Sequence, residues 1–302
     1  MIGEALALFS AFAFAFGTIA IAKAGTQGGG QSGVLLSVML TGALSFACWV
    51  VLGSGTASAA AISPAAVAWF AASGVLATVW GRLTLFLSIQ NAGVIRASTI
   101  RRLTPFFSVF FAWLLLSEAV GWLKGGGMAL IGASFVLLLL DSRRKLDAEV
   151  SGPAAPPDIP RGYAFGMACA LFYSLSYIAR KLGLTNFADP YFGALIGSLA
   201  ALVYYLAGCT VSAGFRTVVR TSLSRPAGWH LAAAVFISVG QISQFVALTH
   251  TGVSELALIN SFEIYIAAYL AVFVFRMERM PSRMVLFATI LATAGVIMTA
   301  FG

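Results

Sequence analysis

Arg101 and Arg102 stand in the middle of an apolar stretch, Ala97-Ser-Thr-Ile-Arg-Arg-Leu-Thr-Pro-Phe-Phe107. Ser98, Arg101, Arg102 and Pro105 recur at spacings of three and four, so they stack along one flank of a helix. The two adjacent arginines themselves point about 100° apart. Pro105 removes a backbone donor and frees the carbonyl one turn earlier. A polar, bendable patch of this kind suits the passage of a small charged solute. It equally suits a structural ion pair with an acid on another helix. Glu263 is the natural counter-charge, and pairing lowers the insertion cost of both partners. Paired, Glu263 fixes the fold more than it binds a solute; unpaired, it is a candidate for proton coupling.

Other polar groups lie at similar depth in apolar stretches. Trp80 offers an aromatic face and one N–H donor, two residues from Arg82. Gln241 and Gln244 are just short of one turn apart, and Asn260 precedes Glu263. Tyr173 and Tyr177, four apart, form one stripe, which in a membrane helix serves packing more often than binding. The expected substrate-contacting set is therefore Trp80, Arg82, Ser98, Arg101, Arg102, Gln241, Gln244, Asn260, Glu263, Tyr173 and Tyr177, with Pro105 as a gating element.

The elements that must position these groups are membrane spans. The 302 residues are 60% hydrophobic and only 9% charged, with a mean hydropathy of +0.95. A span needs roughly 20 mainly apolar residues. Ten such segments read at about 3–22, 31–52, 64–90, 94–117, 122–140, 161–182, 190–211, 226–250, 253–274 and 281–301. Short alternating segments of the barrel type are absent. The expected fold is an all-α membrane protein of ten helices, in two inverted five-helix repeats. The Pro-rich, charged segment 141–160 reads as a cytoplasmic linker between units 1–140 and 161–302.

A shift of 159 residues carries Gly3 onto Gly162, Gly81 onto Gly240 and Gly93-Val94 onto Gly252-Val253. Because five is odd, the two halves cross the bilayer in opposite senses, which places a binding site near the midplane at their interface. Lys23, Arg143, Arg144, Lys145, Arg161, Arg216, Arg220, Arg225, Arg276, Arg279 and Arg283 fall on one side; Lys124, Arg180 and Lys181 fall on the other. Positive loops stay in the cytoplasm, so both termini are expected to be periplasmic in an inner membrane. Gly162-x-x-x-Gly166 and Gly193-x-x-x-Gly197 are expected to serve close helix packing.

The net charge of +8 marks cytoplasmic loops, and no nucleic-acid partner is expected. Cys48, Cys169 and Cys209 fall inside spans with no metal or disulfide spacing, and no cofactor is implied. No Ser/His/Asp set, H-E-x-x-H or G-x-S-x-G motif appears, so the chain is not expected to be an enzyme. The lone His250 at a span end reads as a solvated residue or cap, and Glu118, Glu255 and Glu278 as turn or helix-end groups.

The segment Gly93-Val-Ile-Arg-Ala-Ser-Thr-Ile-Arg-Arg-Leu-Thr-Pro-Phe-Phe-Ser-Val-Phe-Phe-Ala-Trp-Leu-Leu-Leu-Ser-Glu118 resembles the fourth helix of the drug/metabolite transporter superfamily, in its ten-span EamA-type branch. Gly126 to Gly132 is similar to the fifth helix of that branch. The second unit departs: Ile264 replaces the proline, and Arg276-Met-Glu-Arg stands at the acidic turn. The resemblance implies alternating-access export of small metabolites through a site lined by helices three, four, eight and nine, by a chain able to act as a monomer in the lipid bilayer. Amino acids, aromatic ones included, are the substrates it favours. Exchange of sugar phosphates or nucleotide sugars and drug export are its rivals, though Glu4 sits too near the edge for the first-helix glutamate of small cationic-drug pumps. A membrane scaffold or sensor, and more distantly a lipid-modifying enzyme, are the readings outside transport.

Overall fold

The structure, a computed structural model, describes residues 2–26, 33–53, 62–92, 100–101, 103–119, 121–149, 159–214, 216–217, 220, 228–275 and 283–300. Ser98, Arg102 and Glu278 lie outside the described residues. The first repeat contains α1 (Ile2–Thr26), α2 (Gly33–Val51), α3 (Pro64–Gly74), α4 (Arg82–Ala92), α5 (Thr104–Leu116) and α6 (Trp122–Glu149). A π-helical turn, Val75–Gly81, joins α3 and α4 into one rod. The second repeat contains α7 (Ile159–Asn186), α8 (Pro190–Val211), α9 (Gly228–His250), α10 (Val253–Asn260), α11 (Glu263–Tyr269) and α12 (Arg283–Ala300), with a π-helical turn Leu270–Val274 after α11. Among the described residues, Ile2–Ile21, Pro64–Asn91, Pro160–Asn186, Pro190–Val211 and Gly228–His250 are long and apolar enough to cross a membrane. Leu35–Val51 and Thr104–Leu116 are shorter apolar helices.

Local chemistry sets the helix starts. Ser63 caps α3 by accepting from the Ala65 amide, and Pro64 fills the position whose N–H has no use. Asp189 does the same for α8, accepting from the amides of Tyr191 and Phe192 at 3.0 Å ahead of Pro190. The α5 helix ends at Ser117, which takes a left-handed φ of 54° so that its N–H returns to Ala112. Helix α6 runs on to Glu149 and α7 begins at Ile159, so much of 141–160 is helical rather than extended.

The two repeats interlock. Helix α1 packs along α9 and onto α10 and α11 of the other repeat, and α7 packs in the same way onto α3, α4 and α5. The pairs α2 with α8, α6 with α12, and α5 with α10 join like to like across the pseudo-twofold axis. The inverted symmetry reaches individual side chains. A Cβ on Gly81 would come 3.1 Å from the Tyr173 ring, and one on Gly240 would come 3.4 Å from the Phe14 ring. Both pairs are related by the shift of 159 residues.

Glycine permits the tightest crossings. A Cβ on Gly74 would fall 2.0 Å from the Gly197 carbonyl oxygen, so α3 and α8 touch backbone to backbone. Gly183 and Gly193 leave room for the ring of Phe70, which is fully buried and meets Phe192 edge-on and Phe245 at a tilt. Gly166 lies against Ser88 and Ile100, and the Ser88 hydroxyl donates to the Gly162 carbonyl at 2.7 Å.

Candidate functional site

Both repeats carry a broken helix at the same depth. In the first, Leu103 forms a turn ahead of α5, its N–H bonded to Ile100 at 2.9 Å. In the second, α10 stops at Asn260, Ser261 and Phe262 turn, and α11 restarts at Glu263. The shift of 159 carries Leu103 onto Phe262, so the second break exists although Ile264 stands where Pro105 stands in the first. There the unravelled turn is held by Ser261, whose amide donates to Ala257 and Leu258 and whose hydroxyl donates to Leu258 at 2.6 Å.

Pro105 cannot donate to the Arg101 carbonyl, and the Thr104 hydroxyl donates to it instead at 2.6 Å. The Thr104 carbonyl in turn accepts from the Ser174 hydroxyl at 2.9 Å, which ties the break to α7. The backbone groups that Pro105 leaves open are thus taken up by neighbouring hydroxyls, as buried backbone requires.

Arg101 and Glu263 bridge the two breaks, with Arg101 Nη2 3.8 Å from Glu263 Oε2. The other Glu263 oxygen accepts from the Thr18 hydroxyl of α1 at 3.2 Å. The Arg101 guanidinium lies over the Tyr173 ring of α7, 5.3 Å from its centre. Arg101 keeps 40% of its side-chain surface accessible and Glu263 18%, so the pair is loose and reachable rather than sealed. Four elements thus converge on one pair of opposite charges: the two broken spans, α1 and α7.

A second group of polar residues sits nearer the end of the bundle where α1 begins. Arg180 of α7 donates to Gln244 Oε1 of α9, and Gln244 Nε2 donates to the Tyr177 hydroxyl at 3.3 Å. The guanidinium stacks over Tyr177 and Phe245, 5.6 and 4.8 Å from the ring centres. Arg180 is only 4% exposed, and its Nε has no hydrogen-bond partner. The sequence reading placed Arg180 among loop charges. Its spacing of three from Tyr177 and seven from Tyr173, one helical stripe, is the signal that puts it inside.

Beyond Arg180 the same end is closed by bonds across the seam. Lys181 donates to the carbonyls of Leu248 and Thr251 at 2.8 and 2.9 Å. Glu118, at the end of the first broken span, accepts from the Val253 and Ser254 amides at 2.7 and 3.0 Å and from the Ser254 hydroxyl at 2.7 Å. It therefore caps α10 of the other repeat, where the helix dipole favours an anion. Glu255 accepts from the Thr251 hydroxyl and the Gly252 amide. At this end α7 packs against α9 and α10; among the described residues its repeat mate α1 shows no comparable packing with α3, α4 or α5.

The remaining expected residues divide. Asn260 is 7% exposed, and among the described residues neither polar atom of its side chain has a hydrogen-bond partner. Trp80 donates to the Tyr204 hydroxyl of α8 at 3.3 Å and packs on Phe172 of α7. Arg82 opens α4, half-buried, within electrostatic reach of Tyr173 and Tyr205. Gln241 is half-buried, next to Gly240. Thr18 is the contact of the Arg101–Glu263 pair that sequence reasoning missed; a lone threonine in an apolar span gives no signal of its own.

The sequence matches the EamA-like transporter family over residues 1–140 and 160–301. No curated protein matches it. A solved structure described as "Crystal structure of protein" superposes with a TM-score of 0.73 over 99% of this chain and 96% of the other, at 16% identity, a likeness of fold.

Proposed function

This chain belongs to the EamA-like transporter family and is a multi-pass membrane transporter of the drug/metabolite type; from that premise we propose that it exports amino acids, aromatic ones included, across the inner membrane. The observation that carries the reading is the Arg101–Glu263 pair, a guanidinium and a carboxylate 3.8 Å apart beside the Tyr173 ring. A zwitterionic amino acid carries the complementary pair: its carboxylate suits Arg101 and its ammonium suits Glu263. An aromatic side chain has Tyr173 to lie against. A loose, partly accessible pair is one that a substrate can part without leaving either charge bare.

The substrate enters from the face opposite the Glu118 and Lys181 seam, where among the described residues α1 and α3–α5 show no close packing. The excess of Lys and Arg at that face makes it the cytoplasmic one, and export then requires the seam to part. The test is counterflow in proteoliposomes. Vesicles are loaded with one unlabelled amino acid at a time, and uptake of labelled tryptophan, threonine and methionine is followed. Accumulation that depends on the internal load supports the reading. No accumulation by a folded, monodisperse preparation that does exchange loaded sugar phosphates would replace it with the anion-exchange reading.

A further inference from the structure

We propose that Arg180, with Gln244 and Tyr177, forms a second recognition site, which takes the carboxylate of an organic acid or amino acid when the seam parts. The proposal builds on the transport reading and adds a site on the exit side of the central pair.

The argument starts from an imbalance of charge. A guanidinium has five N–H donors and no acceptor. Arg180 is 4% exposed, yet among the described residues its one hydrogen-bond acceptor is the neutral Gln244 Oε1, and its Nε has none. The aromatic faces of Tyr177 and Phe245 supply cation–π attraction but no counter-ion. A buried ion costs several kcal/mol unless it is matched, and the carboxylates of the adjoining seam around Lys181 are engaged. Glu118 holds the Val253 and Ser254 amides, and Glu255 holds Thr251 and the Gly252 amide. Among the described residues no acid forms an ion pair with Arg180.

Geometry places this cation on the seam between the two packing groups. Arg180 belongs to α7, which packs with α3–α5, while Gln244 belongs to α9, which packs with α1 and α2. Opening the seam for exit separates the two and removes the one oxygen that Arg180 meets among the described residues. Tyr173, under Arg101, lies two helical turns from Arg180 on the same stripe of α7. A carboxylate leaving Arg101 therefore meets Arg180 next, with Tyr177 and Phe245 to receive the apolar part.

The test uses the full-length protein and a monocarboxylate probe, phenylacetate, with phenylacetamide as the uncharged control. Thermal unfolding is followed against probe concentration in Arg101→Gln, which removes the central cation. Saturable stabilisation by phenylacetate and none by phenylacetamide is expected. Gln244→Glu in that background supplies Arg180 with an internal carboxylate. It should raise the unfolding temperature and weaken phenylacetate binding by roughly tenfold to a hundredfold, the worth of one charge-assisted bond. Arg180→Gln should abolish binding as well. Undiminished binding in Gln244→Glu, or no binding in Arg101→Gln alone, overturns the proposal. If amino acids fail in counterflow while this pattern holds, the exported substrate is misassigned and the site stands.

Discussion

Asn260 occupies in the second repeat the place that Arg101 occupies in the first, just ahead of the helix break, and the two differ in what they meet. Arg101 faces Glu263 at 3.8 Å and the Tyr173 ring, whereas the Asn260 amide is buried with no partner on either polar atom among the described residues. The inverted repeat has kept the geometry of the break and changed the chemistry at its tip, so the pseudo-symmetric site is electrically lopsided.

An unmatched buried amide costs about 1–3 kcal/mol. Asn260→Leu, close in volume, is expected to raise the unfolding temperature and to lower transport, the pattern of a group held ready for a ligand. Thermal unfolding and counterflow on the same preparation check both. A variant that loses stability assigns Asn260 to the fold.

Arg101→Gln and Glu263→Gln each leave one charge without its partner, at a cost of about 1–3 kcal/mol given the pair's partial exposure. The double variant should recover much of that stability and none of the transport. Arg101→Lys should also fail in transport, because an ammonium cannot reproduce the planar fork over Tyr173. Unfolding midpoints for all four forms, read as a double-mutant cycle beside counterflow rates, settle the matter.

Glu118→Gln removes the anion from the α10 N-terminus while keeping its shape. The expected loss is about 0.5–2 kcal/mol, the range for helix caps. The seam should also part more readily, measured as faster labelling of a cysteine placed at Ser254. A labelling rate equal to that of the same cysteine with Glu118 intact would remove Glu118 from the seal.

Gly74→Ala should fail to give folded protein, since its methyl would meet the Gly197 backbone at 2.0 Å. Gly125→Ala has nothing within 4 Å and should behave as wild type. Yield of monodisperse protein from the two variants is the comparison.

Much of the architecture was legible in the chain. The apolar runs marked the helices, and the shift of 159 marked the repeat, because burying a backbone in lipid leaves few ways to arrange it. The glycine matches had a physical source, since Gly81 and Gly240 each take an aromatic ring from α7 or α1. The site was legible only in part. Glu263 was visible as a charge in an apolar run, but the choice of Arg101 as its partner rests on helix rotation. The break at Ser261 carries no proline to announce it. Arg180 lay close enough to a helix end to look like a loop charge; its stripe with Tyr173 and Tyr177 hinted otherwise, and the packing between α7 and α9 shows that it is inside. Trp80 stood out by composition and packs instead on Phe172 and Tyr204.

The exchange of α1 and α7 between the repeats bears on biosynthesis. When the first five helices have been inserted, α1 has neither α9 nor α11 to lie on, and the groove of α3, α4 and α5 is still waiting for α7. Neither half owns a finished interior, so the early helices must stay apart in lipid until the late ones arrive. A gene cut between Glu149 and Ile159 should then yield two fragments that are each degraded when made alone. Made together, they should assemble into one transporter.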